Sequence, residues 1–140
     1  MASLDPRTGM TILDDATCWE LLSAADVHRL AVVVGDDLEI FPINAVVDGQ
    51  SLVFSTGEGT KLAAVAIARN VVVEADGYLA ATHEAWSVVV RGEAERLEHF
   101  HDIERAESLV LRPWSDHPKQ WFVRVTPRSI SGRRFAVSPR

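Results

Sequence analysis

Thr56-Gly57-Glu58-Gly59-Thr60-Lys61 is the segment of this chain best equipped for chemistry. Two glycines let a backbone come close to a ligand. Thr56 and Thr60 offer hydroxyls, and Lys61 offers a full positive charge. A helix beginning here would present unpaired N–H groups, which suit an anion. These are the parts of a phosphate cradle. They are not a P-loop, because the order is Gly-Thr-Lys and the upstream glycine spacing differs. The plainer reading is a helix start with glycines in its turn and a solvated lysine, and spacing alone leaves both open. Pro42-Ile43-Asn44 is the second candidate. Proline breaks a strand ladder, and Asn44 can donate to and accept from a planar heterocycle or satisfy the backbone of a bulge. Trp86-Ser87 and Arg91-Gly92 follow on a predicted strand, with Arg91 on its polar face. A cross-strand acid is the ordinary partner of such an arginine. Arg133-Arg134, after Gly132, could hold an anion or cover a sheet edge.

Other chemistries find no support. His99 and His101 face different sides of a predicted helix, and His101 with Glu104 makes only two ligands, so no metal site is expected. No Gly-x-Ser-x-Gly elbow is present, and no side chain is singled out as catalytic. Cys18 is the one cysteine; it excludes an internal disulfide and is expected to be buried and inert. Twenty acidic residues against 14 Lys and Arg give a net charge of -6, which argues against a nucleic-acid partner. The longest apolar runs, Leu30–Val34 and Leu62–Ala68, are far short of the ~20 residues of a membrane span. With no apolar leader at Met1–Met10, a cytoplasmic protein is expected.

The elements that must position these residues can be read from pattern. The 140 residues suit one domain. Residues 1–12 are expected as a flexible arm and 13–140 as the domain. Asp14 and Asp15 precede a short helix, Thr17–Leu22, and Ser23 can cap a further turn through Val27 and His28. Strands are expected at 29–34, 38–47, 51–56, 71–75, 86–97, 120–126 and 129–137. Asp48-Gly49 is read as a type I′ hairpin turn. Helices are expected at 60–68 and 99–111, the second with Phe100, Ile103, Ala106 and Val110 on one side. Residues 78–85 have no clear pattern. Strands in hairpin order with few helices describe a mainly β (α+β) protein, an antiparallel barrel with short helices packed outside.

In order, the segments Val27–Ala31, Pro42–Gly49, Phe54–Thr56 with Gly59–Leu62, Trp86–Gly92, Pro113-Trp114 and Ile130–Arg134 resemble the pyridoxamine 5'-phosphate oxidase-like family, the FMN-binding split barrels. The resemblance implies a split antiparallel β-barrel and a homodimer with two flavin sites at its interface. It implies that Thr56, Thr60 and Lys61, with Leu62 behind them, meet the ribityl phosphate of FMN. It sets Pro42, Ile43 and Asn44 beside the isoalloxazine ring and Trp86 and Ser87 along the flavin, with Trp114 and Arg133 closing the site. The implied activity is an FMN-dependent oxidoreductase acting on a small aromatic or heterocyclic compound. Two alternatives share the fold: a reductase using the deazaflavin F420, with Lys61, Arg91, Arg133 and Arg134 along its tail, or a flavin- or haem-binding dimer without turnover. Relatives often carry arginine where this chain has Ser55, an aromatic residue at Ala45 and glycine at Ala85. Ser55 removes a bidentate phosphate partner.

Overall fold

From Trp86 to Ala94 every second residue is small or apolar and buried (Trp86, Val88, Val90, Gly92 and Ala94), while Arg91, Glu93 and Glu95 are exposed. That is a strand with one face on a core. The computed structural model describes residues 3–66, 69–109 and 120–138. In chain order its elements are β1 (Ser3–Leu4), β2 (Thr11–Ile12), α1 (Asp15–Ala24), β3 (His28–Val34), β4 (Asp37–Ile43), β5 (Val46–Asp48), β6 (Ser51–Gly57), α2 (Lys61–Ala66), β7 (Arg69–Leu79), β8 (Glu84–Arg96), α3 (Phe100–Leu109) and β9 (Gln120–Ala136). All strand pairs are antiparallel. The sheet runs β1-β2-β9-β8-β7-β3-β4, and the β5–β6 hairpin joins it through β6 on β9. The split antiparallel barrel expected from the sequence is the observed architecture.

The core follows from alternation. Leu30, Val32, Leu52, Phe54, Val71, Val73, Val88, Val90, Val123 and Val125 face inward and form the main cluster, with Cys18 and Leu22 of α1. Cys18 is fully buried, as expected, and burial raises its thiol pKa. A smaller cluster on the other side of β6 holds Val53, Leu97 and Ala106, with Ile103 and Phe122 against it. It seats α3 outside the barrel. Phe100 departs from the expected stripe, since it is 72% exposed; Val110 lies outside the described residues.

Several local expectations change. The arm expected to be loose contains a hairpin, in which β1 pairs with β2, and β2 pairs with Arg133 and Arg134 of β9. Backbone pairing, which composition does not encode, holds it there. The helix α1 is longer than expected and is capped by Asp14, whose carboxylate accepts the Thr17 N–H at 2.9 Å. No second turn follows it, and β3 starts at His28. The expected strand 38–47 divides at Asn44-Ala45 into β4 and β5. Residues 78–85 are the tip of the β7–β8 hairpin. Asp48 pairs with Ser51, so the turn residues are Gly49 and Gln50. Gly49 has φ +62° and no positive φ occurs at Gln50, so the turn is not type I′, which needs both.

Asp48 instead carries an ionic clamp. Its carboxylate accepts from Arg105 of α3 at 2.6 and 3.0 Å and from Arg124 of β9 at 3.1 Å. Hydrogen bonds from Arg105, then Arg124, hold its pKa down to about 2. The clamp ties the β5–β6 hairpin to both elements.

Pro127 does not end a strand. Arg91 pairs with Ser129 and Gly92 with Pro127, leaving Arg128 as the extra residue of a bulge in a continuous β9. Gly92 is required there, because an added Cβ would meet the Thr126 carbonyl and, at 3.0 Å, the Pro127 Cα. Backbone cannot yield as a side-chain tip can. We expect Gly92→Ala to destabilise the fold by about 1–3 kcal/mol, measured by urea unfolding. An unchanged midpoint would place the strain elsewhere.

Candidate functional site

The end of β6 gathers the cradle residues. Thr56 is nearly buried, and its Oγ1 lies 2.9 Å from Thr60 Oγ1. The turn between them closes through the Thr60 N–H on the Gly57 carbonyl at 3.2 Å, and Gly59 takes φ +81°, a conformation suited to glycine. Thr60 also caps α2, accepting the Ala63 N–H at 3.1 Å. The plain reading of a capped helix start therefore holds together with the clustering of hydroxyls. Lys61 Nζ reaches Glu39 of β4 at 2.8 Å, and its side chain is 64% exposed. Leu62 packs against the main core and anchors α2. Two adjacent hydroxyls and a solvent-facing ammonium suit a phosphate ester. The ammonium exchanges only an exposed ion pair, worth about 0–1 kcal/mol.

Pro42 sits on β4, the edge strand, opposite Arg29, where an edge tolerates its missing N–H. It is exposed, Ile43 is buried in the core, and Asn44 is half-buried at the β4–β5 corner. The structure thus splits this trio between a surface, the core and a corner. The corner is held by His28, which sequence reasoning had folded into a turn. His28 is fully buried; its Nε2 is 2.8 Å from the Leu22 carbonyl, and its Nδ1 faces the Ala45 N–H at 3.4 Å. The ring therefore donates from Nε2 and accepts at Nδ1, as a neutral imidazole does. Its alternation with Leu30 and Val32 was the available signal. Burial lowers its pKa, partly opposed by the Leu22 carbonyl.

Trp86 and Ser87 point to opposite faces. Trp86 belongs to the core and packs over Gly77, where an added Cβ would lie 2.5 Å from its Nε1. Ser87 pairs with Asp76 on one side and Arg133 on the other, so Ser87 and Arg133 do come together on the outer face. Arg133 is also 3.8 Å from Asp5. Trp114 lies outside the described residues. On the same outer face Arg29 bridges Glu74 at 3.0 Å and Asp76 at 3.1 Å. Desolvation, with Asp76 beside it, raises Glu74 to about 6 against the pull of Arg29. Nearby, a pocket of about 230 Å³ is lined by Ala31, Val33, Leu38 and Val72, with Arg91 and Arg128 among its polar lining residues.

One pair was missed from the sequence. Trp121 stands directly opposite Thr56 across β6–β9, and Arg96 of β8 lies over its ring at 3.7 Å. Only strand register brings residues so far apart in sequence together. Among the described residues no group of three or more His, Cys, Asp and Glu could hold a metal, and no helix is long and apolar enough to cross a membrane.

The pattern of the pyridoxamine 5'-phosphate oxidase family matches residues 14–134. The chain belongs to that family. Protein Rv3129 of Mycobacterium tuberculosis is 37% identical over 94 residues, 67% of this chain and 84% of the relative. An FAD-binding protein of Mycobacterium smegmatis is 40% identical with a TM-score of 0.83, over 91% of this chain and 99% of that one. The conserved protein DIP1874 of Corynebacterium diphtheriae is 34% identical with a TM-score of 0.75, over 95% of this chain and all of that one.

Because native His28 resists protonation and an unfolded histidine titrates near pH ~6.5, the unfolded chain binds more protons below that pH. His28 therefore contributes stability above pH ~6.5 that is lost as the pH falls. We expect His28 to lower the unfolding free energy between pH 7.5 and 5.5, so that the change over this range is less unfavourable in His28→Gln than in the wild type, by denaturant titration at both pH values. Glu74, raised to about 6, acts in the opposite sense in both proteins alike.

Proposed function

We propose that the chain is a flavin-binding oxidoreductase that works as a homodimer on small aromatic or heterocyclic compounds. The observation that carries the cofactor reading is the Thr56–Thr60 hydroxyl pair beside Lys61, a donor set fit for the phosphate of FMN or the diphosphate of FAD. The FAD-binding M. smegmatis protein, similar over nearly its whole length, supports the flavin. When bound, a flavin supplies the hydride or electron transfer, so no protein acid or base is required by the reading. The chain's part is to hold and orient. Thr56 and Thr60 bring hydroxyls to the phosphate, and Lys61 turns from Glu39 to the added charge. Pro42 on the edge strand and Asn44 at the corner flank the ring.

The F420 alternative needs one basic groove. Arg133 and Arg134 are consecutive on β9 and face opposite sides, while Lys61 and Arg133 already face carboxylates. That arrangement favours the shorter flavin phosphate.

The dimer reading rests on the outer face. Leu38, Ile40 and Val33 are 84%, 65% and 53% exposed and adjoin one another across β3–β4 at the sheet edge. A contiguous apolar patch at the sheet edge suits a second copy of the same face. We expect sedimentation to show a dimer, and Ile40→Asp to give a folded monomer; a monomeric wild-type chain overturns this part.

The cofactor reading is tested on purified protein. We expect uptake of FMN or FAD with the two-banded yellow spectrum, and extraction with mass spectrometry to identify the ligand. Lys61→Ala should weaken flavin binding by about 1.5–3 kcal/mol, and Glu39→Gln should tighten it by up to about 1 kcal/mol, by titration calorimetry. Unchanged affinity in Lys61→Ala rejects this phosphate site. A protein that takes up no FMN, FAD, F420 or haem rejects the cofactor reading altogether.

A further inference from the structure

Thr56 and Thr60 bring hydroxyls but no charge, Ser55 beside them is neutral, and Lys61 is engaged by Glu39. A doubly charged phosphate needs a permanent cation close by. Strand register supplies one that the sequence does not reveal. Thr56 pairs with Trp121, Phe54 with Val123, and Val123 with Arg96 on β8. By alternation Thr56, Trp121 and Arg96 all stand on the core-side face, at the end of the barrel where α2 starts. Arg96 crosses diagonally to lie over Trp121, its guanidinium carbon 3.7 Å from the ring centroid. Arg29, Arg105, Arg124 and Arg133 each face a carboxylate. Among the described residues Arg96 makes no ion pair or hydrogen bond, and the indole face is its partner. A guanidinium held over an aromatic face keeps N–H groups that the ring does not satisfy as hydrogen-bond acceptors would, and those can grip a phosphate with two parallel hydrogen bonds.

We propose that Arg96, presented by Trp121, is the guanidinium that binds the flavin phosphate beside Thr56 and Thr60. The proposal rests on the flavin reading above and deepens it by naming the cation of the phosphate subsite. Trp121 acts as a positioning residue, since it orders Arg96 and does not meet the charge itself.

The test uses cofactor-free full-length protein titrated separately with FMN, FAD and riboflavin, following quenching of flavin fluorescence. Riboflavin has the ring and ribityl chain but no phosphate. Arg96→Ala is expected to raise Kd for the phosphorylated ligand about 10- to 100-fold and to leave riboflavin within about twofold. The FMN and FAD arms show whether the subsite serves a phosphate monoester or a diphosphate. Arg96→Lys keeps the charge but loses the planar fork, and is expected to recover only part of the affinity. It also replaces Arg96→Ala should that variant fail to fold, with the same phosphate-selective loss expected. Unchanged FMN and FAD affinity in both variants overturns the proposal and leaves the flavin reading intact. Equal losses for FMN and riboflavin also overturn it, because Arg96 would then act through the fold. Wild-type protein that binds no flavin overturns both.

Discussion

The pairing of β9 with three different strands is the constraint on which the rest of this structure depends. Gln120 to Val125 pair with β6, and from Val123 onward β9 also pairs with β8; its last residues, near Arg133 and Arg134, lie between β8 and β2. One strand can serve both only if it bends and twists, and the extra residue at Arg128 allows that bend. The bulge in turn needs Gly92, whose missing Cβ lets two backbones meet. Each end of β9 then addresses a different polar group: Trp121 stands beside Thr56 at one end, and Arg133 beside Ser87 at the other.

Charge in this molecule is arranged in local sets, and they differ in strength. The Asp48 clamp joins a largely buried carboxylate to two arginines and holds a hairpin, a helix and a strand together. Removing both arginines would leave the Asp48 carboxylate charged and poorly solvated. Lys61 and Glu39 form the opposite kind of pair, one short contact with an exposed lysine, which water and a ligand can both replace. An acidic chain can therefore offer a place for an anion. The overall charge of -6 sets the long-range field, whereas hydroxyls, an exchangeable ammonium and a stacked guanidinium set the local one.

Much of the fold was legible because burial on one face imposes a period of two. The alternation in β8 marks its core residues directly, and the same rule assigns Leu52 and Phe54 to one side and Val53 to the other. The candidate site was legible where its residues are neighbours in the chain, as at Thr56–Lys61. It was not legible where register decides. The resemblance sets Trp86 and Ser87 together along a flavin, while alternation alone already puts them on opposite faces; what register adds is that Ser87 faces Arg133. His28 read as part of a turn because its partners, Leu22 and Ala45, arrive from other elements. Pro127 read as an interruption because sequence does not show that the facing strand has a glycine there.

By itself the sequence determined that an antiparallel β protein would form, where its strands would bury a face, and that one short segment concentrates glycines, hydroxyls and a lysine. These follow from local pattern, since each depends on residues within a few positions of one another. Only the tertiary structure decided which groups meet: Lys61 with Glu39, Asp48 with Arg105 and Arg124, Arg96 with Trp121 next to Thr56. The physical reason is register. Shifting one strand by a single residue would keep the hydrophobic composition and send that strand's side chains to the opposite face, parting them from their partners.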